Sequence, residues 1–88
     1  MKRYIKASTK DVLPKFGPDW ENYHNEEDMK FYIYHDEKSG LDYELVKTDR
    51  GWNGNVDGEP LITDPRRSLY KSADAAIKGL QVLADDLY

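Results

Sequence analysis

The chain has no cysteine. That removes disulfide staples, thiolate metal sites and cysteine nucleophiles, and it suits a reducing compartment, so the cytoplasm is the expected location. No stretch of the sequence is long and apolar enough to span a bilayer, and the basic opening MKRYIKAS runs into Thr9, Lys10 and Asp11 rather than into an apolar core, unlike a secretory signal. Histidine is scarce, with only His24 and His35, so groups that titrate near neutrality are few. There is no Gly-rich phosphate loop, no nucleophile elbow and no metal-spaced histidine pair. With 88 residues, one small domain with a thin core is expected, and a pocket that could split the pKa values of two carboxylates has little room to form. We therefore expect no enzyme and no cofactor.

What is present argues for a folded domain. Seven Tyr, two Phe and two Trp supply eleven aromatic side chains, despite a charged fraction of 34%. Residues Ser72 to Tyr88, SADAAIKGLQVLADDLY, place Ala73, Ala76, Ile77, Leu80, Leu83, Ala84 and Leu87 on one helical stripe, with Asp74, Lys78, Gln81 and Asp85 between them. Ser72 is the expected N-cap, and Asp74 puts negative charge in the first turn, where the helix dipole favours it. Gly79 in mid-helix costs about 1 kcal/mol relative to Ala, so a close approach by an aromatic ring is expected there, with Trp52 as the candidate.

From Lys30 the period changes to two. KFYIYH and LDYELVKT read as a β-hairpin across DEKSG, and setting Phe31 against Leu45, Ile33 against Tyr43 and His35 against Leu41 keeps the apolar residues together. The pattern then predicts an inner face under the helix and an outer face bearing Tyr32, Tyr34, Asp42 and Glu44. A third strand is expected around Trp52 to Val56, and a short last one at Arg67 to Tyr70. Before the hairpin, Pro14, Gly17 and Pro18 break any long element; Asp19 is expected to cap a short helix, DWENYHNEEDM, with Trp20 and Tyr23 inward. The expected organisation is one α+β domain: an arm and short helix over 1–29, a β-meander of about three strands over 30–70, and a helix over 72–88 that covers one face of the antiparallel sheet.

The net charge of −4 is unevenly spread. Residues 1–10 carry Lys2, Arg3, Lys6 and Lys10 and no acid, whereas residues 11–60 hold 13 acidic against five basic residues, a balance of −8. Solubility is one reading of that excess. The other is recognition, and the residues expected to bind a partner are Glu26, Glu27, Asp28, Asp36, Glu37, Asp42 and Glu44, with Tyr32, Tyr34 and Trp52 as aromatic anchors. Asn53, Asn55, Asp57, Gly58 and Asp64 fall at calcium-loop spacing. A neutral first position, Asp rather than Glu at the twelfth and Pro60 within the run make this a turn cluster instead, and no metal is expected. His35 reads as a sheet-edge residue and His24 as a solvated one.

Two resemblances add expectations. Strands followed by LYKSADAA resemble the small sheet-plus-helix module at the N-termini of tyrosine integrases, which implies DNA binding through basic residues on the exposed sheet face. Here those positions are Tyr32, Tyr34, Asp42 and Glu44, and carboxylates repel phosphate. A nucleic-acid-associated module would instead have to use Arg66, Arg67, Lys71 and the N-terminal arm. The start MKRYIKAS, with the small size and lack of cysteine, resembles short prophage-encoded accessory proteins of Gram-positive bacteria. That resemblance implies a non-enzymatic inhibitor of a host protein, a class that includes anti-CRISPR proteins acting on CRISPR nucleases.

Overall fold

The computed structural model describes residues 13–87. The expected arm around Tyr4 and Ile5, its basic residues and Tyr88 lie outside them. Five strands, β1 (Glu21–Glu26), β2 (Met29–Asp36), β3 (Leu41–Thr48), β4 (Gly51–Val56) and β5 (Glu59–Pro60), form one antiparallel meander in chain order, followed by the helix α1 (Ala73–Leu87). The fold is α+β, with five strands rather than about three.

The helix forms where its apolar stripe predicts it. Ser72 is its N-cap: the hydroxyl accepts from the Ala75 amide at 3.1 Å, and the Ser72 carbonyl accepts from Ala76 at 3.1 Å. Ala73, Ala76, Ile77, Leu80 and Ala84 are buried against the sheet, while Leu87, expected inside, is 42% exposed at the frayed end. Leu80 lies over Gly54, where a Cβ would stand 3.3 Å from a Leu80 methyl, so the missing side chain on β4 lets the helix sit close. Leu45, Val56, Tyr43 and Leu80 are fully buried at this contact, each contributing about 1.5–3 kcal/mol.

The β2–β3 register differs from the expected one by a single residue. Tyr32 pairs with Leu45, Tyr34 with Tyr43 and Asp36 with Leu41, whereas Phe31 faces Val46, Ile33 faces Glu44 and His35 faces Asp42. Because the side-chain period is two, this slip exchanges the faces of β2. The cause lies in the turn. Asp36 oxygens accept from the Lys38 amide at 3.2 Å and the Ser39 hydroxyl at 2.9 Å, and the Asp36 carbonyl accepts from Gly40, whose φ is 77°. These bonds close a four-residue connection, 37–40, rather than an odd one.

The expected helix at DWENYHNEEDM is instead the strap residue Trp20 followed by β1, which hairpins onto β2 through Glu27 and Asp28. The segment has no Ala or Leu to build an apolar helical stripe, and every β1 residue is exposed. Residues 13–20 run across the same sheet face as α1. Leu13 and Trp20 are buried, Phe16 meets the rings of Tyr32 and Trp52 edge-on, and Trp20 packs on Tyr34. Two bonds moor this strap to the helix, from the Leu13 amide to Gln81 Oε1 at 2.9 Å and from the Phe16 amide to Asp74 Oδ1 at 3.0 Å.

At the other edge, Asp57 (φ 52°) and Gly58 (φ 90°) make the tight turn between β4 and β5. The chain then leaves β5 as a loop and returns to β4 at Tyr70, which exchanges two backbone bonds with Trp52 at 2.8 and 2.9 Å in place of the expected strand at Arg67 to Tyr70. The Asn53 side chain bridges the gap, donating to the Ile62 carbonyl and accepting from the Ile62 amide, each at 3.1 Å.

Candidate functional site

The ten residues expected to bind a partner do not share one surface. Tyr32, Tyr34 and Trp52 lie on the helix side of the sheet: Trp52 is 9% exposed, and the two tyrosines are half-buried against the core. They are packing residues, put there by the register of β2. Asp42 and Glu44 project from the opposite face, where Phe31 and Ile33, expected inside, stand with them. Glu26, Glu27 and Asp28 occupy the β1–β2 hairpin tip. Asp36 and Glu37 sit at the far end of β2, about 26 Å away for an eight-residue strand.

The face opposite α1 is organised in transverse rows. Glu21, Ile33, Glu44 and Asn55 form one row, with Ile33 between two carboxylates. Glu44 Oε1 accepts a bond from Asn55 Nδ2, which fixes its direction. The next row runs from His24 through Phe31 and Val46 to Asn53. Phe31, Ile33 and Val46 are half-buried, and among the described residues neither α1 nor the strap crosses this side.

A β-bulge between Asn22 and His24 shapes β1, the outermost of the described strands. Two consecutive residues, Tyr23 and His24, both stand against Phe31, with ring centroids 6.1 and 5.4 Å from it. The Asn22 side chain holds the distortion, its Nδ2 donating to the Phe31 carbonyl at 3.2 Å and to Asn25 Oδ1 at 3.1 Å. Tyr23 remains 52% exposed.

Toward the other end, His35 Nδ1 lies 2.5 Å from Asp42 Oδ1. That hydrogen bond, with the charges of Asp42, Glu37 and Asp36, raises the imidazole above its ordinary pKa of 6.5, although partial desolvation pulls it down. His24 Nε2 lies 3.1 Å from Glu26 Oε2. Each histidine thus has a carboxylate beside it on an exposed part of the surface.

No family model matches the chain, and no curated protein or solved structure does either. The site must be read from its own geometry.

The alternative basic strip is partly neutralised. The Arg66 guanidinium reaches Asp64 at 3.3 and 3.4 Å, and the Arg66 amide also donates to Asp64 at 2.9 Å, which holds that carboxyl below the usual range. Arg67 and Lys71 are exposed, and the basic N-terminal arm lies outside the described residues. Asn53, first residue of the calcium-like spacing, has its side-chain oxygen engaged by the Ile62 and Gly54 amides. Among the described residues, no group of three or more His, Cys, Asp or Glu converges as metal ligands would. Among them, too, no helix is long and apolar enough to cross a membrane.

Glu21, Tyr23, Phe31, Ile33 and Val46 were missed in the sequence because FYIY offers apolar residues to both faces. The signal available was the juxtaposition of Tyr23 and His24 in a segment poor in helix formers.

Proposed function

We propose that the chain is a non-enzymatic binding protein of the phage-inhibitor type, which occupies a basic, nucleic-acid-binding surface on a host protein. A CRISPR nuclease is the partner class that the sequence resemblance implies. The observation that carries the proposal is the sheet face opposite α1, which no described residue outside the sheet covers: an apolar stripe of Phe31, Ile33 and Val46 set among Glu21, Glu26, Asp42 and Glu44. Apolar area there supplies affinity, and the carboxylates choose a basic partner and speed its approach. The same carboxylates would repel a phosphate backbone, so this face favours protein over nucleic acid.

The test is a pull-down from host lysate with salt-stepped elution, comparing wild type with the double variant Glu21→Lys, Glu44→Lys after circular dichroism has confirmed the fold. The captured protein is expected to elute with rising salt, to lose nucleic-acid binding while held, and to escape the variant. Equal retention by the variant, or retention that salt leaves untouched, would overturn the proposal.

A further inference from the structure

Successive strand residues ordinarily project to opposite faces, so Tyr23 and His24 would separate in a regular strand. The bulge in β1 places both against Phe31, making a three-ring cluster on the face opposite α1, on the outermost of the described strands. Val46 extends the cluster inward, directly opposite Phe31. Carboxylates bound it: Glu21 two residues before Tyr23, Glu44 diagonally across from Phe31, and Glu26 at 3.1 Å from His24.

Ring faces attract a cation, and a nearby carboxylate can complete its hydrogen bonds. Of the two cationic side chains, arginine fits better, because a planar guanidinium stacks on a ring while donating in its own plane, whereas an ammonium is a compact, strongly hydrated charge. An aromatic platform can also stack a nucleobase, but a base brings its phosphate into the field of Glu21, Glu26 and Glu44. We propose that the β1 bulge builds a seat for an arginine side chain of the protein partner, with Tyr23 and Phe31 as the stacking surface and Glu21 and Glu44 as acceptors. This inference rests on the acidic face being the partner-binding face, and names the side chain that it recognises.

The probes are two capped hexapeptides that alternate serine with arginine or with lysine, titrated into the ¹⁵N-labelled full chain and followed by amide chemical shifts. The arginine peptide is expected to move the Tyr23, His24 and Phe31 amides and to bind about fivefold more tightly than the lysine peptide. Tyr23→Leu, which alters a half-exposed ring outside the core, is expected to abolish that preference, whereas Glu21→Gln with Glu44→Gln weakens both peptides. Equal binding of the two peptides, or an arginine preference that survives Tyr23→Leu, overturns the seat. If Glu21→Lys with Glu44→Lys still releases the captured host protein in that event, the acidic-face reading stands without it. An intact arginine preference alongside a host protein indifferent to those charge reversals would reject the acidic-face reading alone.

Discussion

Gly79 is half-buried in the middle third of α1, and its reason is a phenol. A Cβ built there would lie 2.6 Å from the Tyr70 hydroxyl, 2.9 Å from Cζ of the same ring and 3.2 Å from a Leu61 methyl. A close approach was legible in the sequence as a helical glycine with no other purpose. Its partner was not: Trp52, the expected neighbour, pairs through its backbone with the residue whose ring fills the place. Tyr70 cannot easily retreat, because those two backbone bonds anchor it to β4. In an open helix Gly→Ala stabilises by about 1 kcal/mol. Here Gly79→Ala is expected to destabilise by about 1–3 kcal/mol in urea unfolding, as overpacking does. In the background Tyr70→Leu the same change is expected to become neutral or stabilising, a non-additivity that a double-mutant cycle reads directly. Additive costs would show that the ring is not the obstacle.

At the scale of elements, the helix, the two long strands and the Asp57–Gly58 turn follow from periodicity and turn chemistry alone. The register of β2 on β3 does not. Phe31 and Ile33 on one side and Tyr32 and Tyr34 on the other are all acceptable to a core, so alternation cannot choose between them. The choice falls to Asp36, whose carboxylate and carbonyl organise residues 38–40 and set Asp36 opposite Leu41. Ser39 continues the chain of bonds by accepting from the Leu41 amide at 3.3 Å. Asp36→Ala should therefore cost about 1 kcal/mol, the usual net worth of one or two such bonds. It should also loosen the hairpin locally. Faster amide hydrogen exchange at Gly40 and Leu41 than at Leu45 would report it, and unchanged protection would mean that packing of Tyr43 and Leu45 fixes the register without the turn. β1 escaped sequence reading for a related reason: ENYHNE has no apolar face, so its conformation comes from pairing with β2 rather than from its own pattern.

At the scale of the molecule, the described residues pack one-sidedly: α1 and the 13–20 strap share the inner face, and none of them outside the sheet crosses the outer one. Tyr43 lies at the centre of the covered side, 1% exposed. Burial, reinforced by the charges of Asp36 and Asp85, pushes its pKa up to about 12, against 10 when the chain unfolds; the nearby Ser39 hydroxyl pulls the other way. The unfolded chain therefore releases this proton first as pH rises. Stability is intact below pH 10 and falls between 10 and 12, by about 2–3 kcal/mol from this one group. His35 contributes with the same sign in a lower window. Its raised pKa stabilises the fold fully below 6.5 and the contribution is lost as pH climbs through the folded value, weakly because the pair is exposed. Urea midpoints measured from pH 9 to 11.5 should fall for the wild type and fall less for Tyr43→Phe. That variant, which keeps the ring and removes only the hydroxyl, should start within about 1 kcal/mol of the wild type at neutral pH. Parallel curves for the two proteins would mean that the alkaline loss comes from the other tyrosines, and that the core at Tyr43 admits water.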